Sequence, residues 1–456
     1  MCAIFGIYGH KEAAKLTYLG LYSLQHRGEE ATGIVSFNGK KSCMIKGRGL
    51  VSEVYDEKTL ASLKGHLAVG HNRYSTTGLS SSKNIQPFLV NHRKIPLAVS
   101  HNGNFTNTVR LYRELEKEGA IFQTSMDSEI IIHLIVKSKK KDIKEKVIDA
   151  LSKIEGAYSL VLLIDDMIVA ARDPYGFRPL CLGSLDGSFV VSSESCALDL
   201  IGAKYLREVD PGEVIFINKK GLNSQIAFSS PRRSFCIFEY IYFARPDSSV
   251  FGNAVYKIRE NLGRALAKEA PLDVDLIMPI PDSGNHAALG VAKEARCQFE
   301  FGMIRNHYIG RTFIQPTQFV RDFRVKVKLN PIKSLLKDKK VAVIEDSIVR
   351  GTTSRARVRT LREAGADQVH MRVSCPPIKF PCFYGIDFPT CKELVASKYT
   401  VEKIREFIGL DSLYYLSKEG MLNAAVLPKG NFCTACFDGD YPVKPAKKFS
   451  KDILEK

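Results

Sequence analysis

Several features of familiar protein classes are missing from this sequence. No uninterrupted apolar stretch approaches the roughly 18 residues that a helix needs to cross a bilayer. The N-terminus lacks the basic flank, apolar core and small-residue cleavage site of a signal peptide. RNA-binding and zinc-finger signatures, internal repeats and low-complexity blocks are also absent. We therefore expect a cytoplasmic protein that binds neither a membrane nor nucleic acid.

Acidic residues are fewer than basic ones. The chain has 49 Asp and Glu against 66 Lys and Arg, which gives a formal net charge of +17. Such an excess favours an anionic partner, and polyanionic small substrates are one such class. The lysine-rich run at 137–146 is instead typical of a solvated surface. Because 456 residues exceed one ordinary hydrophobic core, we expect roughly two to three domains.

Eleven cysteines are present, and in a reducing compartment they are available for catalysis or metal binding. Cys2 stands between the initiator Met and an apolar run typical of a strand. If Met1 is removed, Cys2 carries an α-amino group, which can accept the thiol proton without a separate histidine. Cys2 is therefore a candidate nucleophile. A small buried hydrophobe at the start of a core strand would give the same sequence.

The pattern of strand-like and helical segments changes between residues 230 and 275. Short alternating β-type runs before this region predict stacked antiparallel sheets flanked by helices. After it, buried strands alternate with helical segments, which is the pattern of a parallel βαβ sheet. We expect a first domain at 2–230 and a second domain at 231–456 that ends in a cysteine-rich tail.

The most informative stretch of the second half is "KVAVIEDSIVRGTTS" at 340–354. An apolar strand ends in Glu345 and Asp346, and a turn with Gly351 leads into a helix. Backbone N–H groups at such a turn form a phosphate cradle, to which the hydroxyls of 352–354 add donors. Carboxylates just before the cradle would meet the vicinal hydroxyls of a ribose. The stretch therefore predicts a ribose-5-phosphate site.

This stretch resembles the phosphoribosyl pyrophosphate (PRPP) motif of type I phosphoribosyltransferases, with "ED" in place of the more usual pair of aspartates. Together with the strings "MCAIFGI", "FCIFEYIYFARPDS", "IPDSGNHAALG", "YIGRTFIQPTQ" and "FCTACFDGDYP", it makes the chain similar to the glutamine PRPP amidotransferases over residues 1–445. The resemblance implies an N-terminal-nucleophile αββα sandwich followed by a type I phosphoribosyltransferase parallel-sheet domain, an α+β and α/β combination. It also implies glutamine and PRPP as substrates.

The resemblance assigns roles in the first domain. Cys2 would attack the glutamine carboxamide, and its α-amine would move the proton. "SHNGNF" (100–105) matches the family's oxyanion hole, formed by the Asn102 amide and the Gly103 N–H. Arg73 would bind the α-carboxylate of glutamine and Asp127 its α-ammonium group. Arg27 would lie near the same site.

In the second domain, the resemblance implies that ammonia displaces pyrophosphate from PRPP with the help of Mg²⁺. Ser283, Glu345 and Asp346 match the magnesium-associated positions. The implied PRPP-binding residues are Glu345, Asp346, Ser347, Arg350, Gly351, Thr352, Thr353, Ser354, Arg305, Arg311, Lys326 and Lys328. The family commonly has Lys-Asn-Arg-Tyr where this chain has "RNHY" at 305–308, so positive charge is kept at 305 and weakened at 307.

Cys433 and Cys436 form a C-x-x-C pair, while Cys236 and Cys382 stand singly. Four thiolates can hold zinc or a [4Fe–4S] cluster, and spacing alone does not choose between them; the single cysteines are also consistent with core residues. The resemblance favours iron–sulfur, because one branch of the family carries a structural cluster with cysteines at these positions.

Two other functions fit parts of the sequence. An inactive regulator would keep the PRPP pocket without turnover, but retention of Cys2 and the oxyanion residues argues against it. An amidotransferase acting on another acceptor would share the first domain, but the ribose-phosphate motif argues against that acceptor. The resemblance further implies a homotetramer inhibited by purine nucleotides.

Overall fold

The computed structural model describes residues 1–74, 81–306, 329–387 and 390–445. In this part of the chain every helix is too short or too polar to span a bilayer. Two large antiparallel sheets occupy the first half, and a four-stranded parallel sheet with three two-stranded pairs occupies the second, within the described residues. The predicted fold class is confirmed.

The strands of the first half are mostly buried along their whole length, so they form the inside of a layered structure. They are β1 (Ala3–Tyr8), β2 (Ala31–Phe37), β3 (Ser42–Arg48), β4 (Leu67–Arg73), β5 (Phe88–His92), β6 (Ile95–Phe105), β7 (Gly156–Ile164), β8 (Ile168–Arg172), β9 (Cys181–Leu185), β10 (Ser188–Ser192), β11 (Lys204–Glu208), β12 (Glu213–Asn218) and β13 (Gly221–Ile226).

These strands form two sheets that pack face to face. One has the order β11-β9-β10-β1-β4-β2-β3 and the other β13-β12-β8-β7-β6-β5. Ile4, Val69 and Val161 belong to the apolar core between them. The helices cover the outer faces, and they are α1 (Ala13–Ser23), α2 (Val51–Val54), α3 (Glu57–Ser62), α4 (Thr108–Lys117), α5 (Glu129–Lys137), α6 (Ile143–Leu151) and α7 (Cys196–Leu200). The result is an αββα sandwich.

Short elements follow Ile226 before the second sheet begins. Residues Glu239–Phe243 form a π-helix, a rare form that often marks functional sites. The strands after Ile226 are β14 (Phe235–Cys236), β15 (Ser249–Val250), β16 (Asn253–Ala254), β17 (Leu276–Pro279), β18 (Met303–Arg305), β19 (Leu329–Pro331), β20 (Lys340–Glu345), β21 (Gln368–Val373), β22 (Ser412–Tyr415) and β23 (Phe432–Cys433).

Four of these strands form a parallel sheet, in the order β17-β20-β21-β22. Its strands are buried runs of Val, Ile, Leu and Met, as expected for a sheet covered on both faces. The helices of this half are α8 (Val255–Glu269), α9 (Asn285–Ala295), α10 (Lys333–Leu336), α11 (Thr352–Glu363), α12 (Val401–Ile408), α13 (Lys418–Ala424) and α14 (Ala435–Asp438). Because parallel strands share a carboxyl edge, the loops after β17 and β20 lie side by side.

Candidate functional site

Cys2 lies at the start of β1, the central strand of the first sheet. The register pairs Ala3 with Asn72 on β4, which places Cys2 beside Arg73. The Cys2 side chain is buried, and its Sγ donates to the Tyr74 carbonyl over 3.5 Å. Met1 precedes it with a buried amine, whose pKa is lowered to about 5, chiefly by desolvation. Burial therefore disfavours the protonated form of the Met1 amine, which is neutral near pH 7.

Asn102 and Gly103 lie on β6 of the opposite sheet. The Asn102 side chain is buried, and neither its oxygen nor its nitrogen has a hydrogen-bond partner within the described residues. An unpaired buried amide is costly, so this group is suited to a bound ligand. His71 on β4 donates through Nε2 to the His101 carbonyl over 3.1 Å, which joins the two sheets beside these residues.

Arg73 and Asp127 lie at the same end of the sandwich. The Arg73 guanidinium donates to the Asn84 carbonyl and to the Met126 sulfur, so it lies next to the residue that precedes Asp127. Asp127 accepts a hydrogen bond from the Phe105 N–H at 3.0 Å. Arg73 next to Cys2 and Asp127 at the same end of the sandwich supply one cationic and one anionic side chain, which match the two charged groups of free glutamine.

Arg27 is also buried beside Cys2, and its Nε donates to the Cys2 carbonyl over 3.1 Å. Its other nitrogens donate to Glu194 at 2.5 Å and to Glu239 at 2.9 and 3.0 Å. Burial alone would raise the pKa of Glu194, but His26 and Arg27 outweigh it and hold the pKa well below the ordinary value. Arg27 therefore supports the nucleophile through protein acceptors, while direct contact with glutamine stays a prediction.

Glu194 and Glu239 were missed by sequence reasoning. They lie 167 and 212 positions from Arg27, and such distant pairs leave no signal in a single sequence. Arg178 shares Glu239 at 3.4 Å and is fully buried. The resulting ion network joins the first domain to the π-helix at the start of the second.

The carboxyl edge of the parallel sheet gathers the predicted carboxylates. Asp346 accepts hydrogen bonds from the Ser283 hydroxyl at 2.6 Å and from the Ser347 hydroxyl at 2.5 Å. Burial raises the Asp346 pKa, and the two hydroxyls counteract this in part. The loop after β17 thus contacts the loop after β20, and it brings together Ser283 and Asp346, two of the residues expected at magnesium-associated positions.

Glu345 is held by a residue that sequence reasoning missed. Both of its oxygens accept from Nη1 of Arg357, at 2.8 and 2.9 Å, and Arg357 lies on α11. The Glu345 pKa is raised to about 7. Burial is the main cause, Arg357 opposes it in part, and the charge of Asp346 adds to it. Glu345 therefore points to a cation of the protein itself, and Asp346 is the carboxylate better placed to meet a ribose or a metal ion.

The predicted phosphate cradle is the loop that follows Asp346 in the sequence. Gly351 has φ +76°, a left-handed conformation that favours glycine, and α11 begins at the next residue. Thr352 and Thr353 are exposed, Ser354 is buried, and Arg350 pairs with Glu393 at 2.9 Å. The loop therefore presents hydroxyls and backbone at the N-terminus of a helix of twelve residues, where an anion is favoured.

Of the remaining predicted PRPP contacts, Arg305 lies on β18 and pairs with Asp282 at 2.5 Å, beside the loop that carries Ser283. Arg311, Lys326 and Lys328 lie outside the described residues. Tyr242 was missed by sequence reasoning. Its pKa is raised to about 12, first by desolvation and then by the charges of Asp346 and Tyr74.

The four predicted cysteine ligands converge. Cys236 and Cys433 are partners in the parallel pair β14–β23. With Cys382 and Cys436 they line one cavity of about 20 Å³, next to Arg178. Burial raises the pKa of the Cys236 thiol to about 11. Four convergent thiols are the donor set of a Cys₄ group. Among the described residues, however, no three His, Cys, Asp or Glu side chains lie close enough together to hold a metal ion.

Comparisons with known proteins found relatives along nearly the whole chain. A family model described as a glutamine amidotransferase domain matches residues 71–200. "Amidophosphoribosyltransferase 2, chloroplastic" of Arabidopsis thaliana is 50% identical over 98% of this chain and 80% of its own length. The amidophosphoribosyltransferase of Bacillus subtilis is 46% identical over 97% of this chain and 94% of its own.

Two solved structures are similar along nearly the whole chain. The structure of "the allosteric regulatory enzyme of purine biosynthesis" has a TM-score of 0.94 at 45% identity, covering 98% of this chain and 97% of that one. The glutamine PRPP amidotransferase from B. subtilis complexed with ADP and GMP has a TM-score of 0.93 at 45% identity, covering 98% of both chains.

Proposed function

The chain belongs to the amidophosphoribosyltransferase family, and we propose that its two domains divide the reaction between them. It is a glutamine-dependent transferase that forms 5-phosphoribosylamine, glutamate and pyrophosphate from glutamine and PRPP, the first committed step of de novo purine biosynthesis. Identity of about half over nearly the whole chain carries this conclusion. The geometry of the two sites supports the following assignment of steps.

In the first domain, the Cys2 thiolate attacks the carboxamide carbon of glutamine. The buried α-amine that Cys2 gains on removal of Met1 takes the thiol proton and passes it to the departing ammonia. Water then hydrolyses the glutamyl thioester. The Asn102 amide and the Gly103 N–H stabilise the oxyanion of each tetrahedral intermediate. Arg73 and Asp127 hold the α-carboxylate and the α-ammonium group.

In the second domain, Asp346 and the loop 347–354 hold the ribose and the 5′-phosphate, and ammonia displaces pyrophosphate at C1. Arg305, Arg311, Lys326 and Lys328 are proposed to meet the negative charge of the leaving group.

Mg²⁺ is the proposed metal of this step, because it prefers oxygen ligands and phosphates. Asp346 and Ser283 would help to hold it, and its charge would be set against the pyrophosphate. Glu345 is the weaker candidate, since Arg357 already contacts both of its oxygens. Omission of Mg²⁺ from the assay, followed by titration, tests this assignment.

A [4Fe–4S] cluster held by Cys236, Cys382, Cys433 and Cys436 is the proposed second cofactor. Bound there, it would supply a cross-link between residues near the domain junction and the C-terminal tail, and no chemistry of the reaction. Three buried thiols and the half-buried Cys382 thiol line one cavity, and this supports the proposal. Zinc would use the same donors, so iron and zinc analysis of anaerobically purified protein distinguishes the two.

Purine nucleotides are the proposed inhibitors, since a 5′-phosphate and a ribose suit the same cradle as PRPP. The name of the related B. subtilis structure, which includes ADP and GMP, is consistent with this. A homotetramer is proposed on family grounds and is tested by light scattering. A cytoplasmic location is also proposed, since a reducing compartment keeps thiols available as ligands.

The central experiment measures glutamate and pyrophosphate released by purified protein, with and without PRPP. We expect both products in equal amounts when glutamine and PRPP are present, and pyrophosphate alone when ammonia replaces glutamine. Binding of PRPP without any turnover would instead favour the inactive regulatory homologue.

A further inference from the structure

The 382–386 segment, "CFYGI", belongs to the second half of the sequence but lies against the first domain. It follows β21 and begins at Cys382, one of the four converging cysteines. Tyr384 and Ile386 are buried. The segment contacts β6 at the residues proposed to form the oxyanion hole.

Two contacts flank Gly103. The Asn104 side-chain nitrogen donates to the Phe383 carbonyl over 2.9 Å. Gly385, with φ +101°, lies so close that a Cβ there would be 3.0 Å from the carbonyl carbon and oxygen of Gly103. On its other side, a Cβ on Gly103 would be 2.1 Å from the Ala157 carbonyl oxygen. The Gly103 backbone is therefore confined between β7 and Gly385.

The segment is itself fixed by residues of the first domain. Arg178 donates to the Tyr384 carbonyl through Nε at 3.0 Å and Nη2 at 2.6 Å. The Tyr384 ring stacks on Phe177 with centroids 4.3 Å apart, and its hydroxyl donates to the Val443 carbonyl over 2.6 Å. A backbone held at both its carbonyl and its side chain is a rigid surface for Gly103.

We propose that the 382–386 segment is a positioning element of the glutaminase reaction, in which Gly385 and the Phe383 carbonyl set the placement of the Gly103 backbone. An oxyanion donor is effective only when it is fixed where the charge develops, and loss of one donor costs about 10²- to 10³-fold in kcat. This inference rests on the proposed oxyanion role of Asn102 and Gly103.

The principal test is Gly385→Ala in the full-length protein. The added methyl presses on the Gly103 backbone, so kcat for glutamine hydrolysis should fall about 10- to 100-fold, while KM for glutamine changes less than about threefold. Synthesis with ammonia should stay within about twofold of wild type. Gly409→Ala is the matched control, because Gly409 also has a left-handed φ, of +87°, but no atom within 4 Å of the added carbon.

Asn104→Ala is the second variant, in case Gly385→Ala does not fold. It removes the bond to Phe383 and should lower the same kcat about 5- to 20-fold, again with ammonia-dependent synthesis retained. Unchanged glutamine hydrolysis in either folded variant overturns the proposal. An equal fall in both activities also overturns it, since that result indicates packing alone.

Asn102→Ala separates this inference from the assignment on which it rests. A large fall in kcat for Asn102→Ala, with no effect of Gly385→Ala, refutes only the positioning role. Wild-type hydrolysis in Asn102→Ala refutes the oxyanion assignment itself.

Discussion

Replacement of Asp346 by Asn should separate the activity of the second domain from its stability. The Asp346 carboxylate is only 5% exposed and accepts two short hydrogen bonds, from Ser283 and Ser347. An amide has one acceptor oxygen in place of two, so one of the two serine hydroxyls must lose its hydrogen bond or reorient to accept one from the amide nitrogen. The negative charge that meets the ribose hydroxyls or Mg²⁺ is lost as well.

The expected magnitude follows from these bonds. A hydrogen bond to a charged group contributes about 1.5–3 kcal/mol, which corresponds to about 10- to 150-fold in kcat/KM for PRPP. The loss should be the same with glutamine and with ammonia, because both supply nitrogen to the same ribose carbon. Folding should not suffer: burial raises the Asp346 pKa, so the ionised carboxylate costs stability at neutral pH, and the amide removes that cost.

The assay is pyrophosphate release at varied PRPP with each nitrogen source, together with a thermal melt. Asp338→Asn is the matched control, because Asp338 is exposed and its φ of +58° is one that Asn tolerates. Unchanged kinetics for PRPP in Asp346→Asn would refute the ribose site. A loss confined to the glutamine-dependent reaction would indicate that Asp346 acts in glutamine hydrolysis and not in the use of PRPP.

Four further outcomes are expected. Cys2→Ala should abolish glutamate release and leave ammonia-dependent synthesis largely intact, and wild-type glutamate release would exclude Cys2 as the nucleophile. Burial lowers the His71 pKa to about 3, so the unfolded chain binds a proton that the folded chain does not. The free energy of unfolding should therefore fall as the pH drops from about 6.5 towards 3. His71→Gln should make the free energy of unfolding depend less on pH in this range, as measured by acid-unfolding curves. Purine nucleoside monophosphates at millimolar levels should inhibit, and no inhibition by adenine or guanine nucleotides would contradict the shared cradle. Anaerobic protein should be brown with about four irons per chain, with Cys433→Ser poorly folded and Cys297→Ser tolerated; active metal-free protein would show that these cysteines only pack.

Local strings predicted the fold class and supplied the candidate residues of both sites. A strand, a carboxylate pair and a glycine turn within fifteen residues can be recognised because one βα unit builds the whole cradle. Asn102 and Gly103 are likewise adjacent on one strand. Where neighbours in sequence make the site, sequence alone places it.

The contacts that the sequence did not reveal join distant positions. Arg27 was expected near glutamine, but the structure directs its guanidinium to Glu194 and Glu239 in other elements. Arg357 is closer to its partner, and its position in the second turn of α11 was the available signal for a contact with the end of β20. The pairing of Cys236 with Cys433 depends on a two-residue parallel bridge that no periodicity marks.

The short run from Cys236 to Tyr242 contacts the cysteine cavity and the ion network behind the nucleophile. Cys236 lines the cavity, and Glu239 accepts hydrogen bonds from Arg27. Arg259 of α8 fixes this run by donating to the Tyr240, Tyr242 and Ala244 carbonyls at 2.7–2.8 Å. These carbonyls belong to the π-helix and the residue that follows it, which connect the cysteine cavity to the ion network of Arg27. Loss of the buried Arg259 guanidinium should therefore disturb both places together.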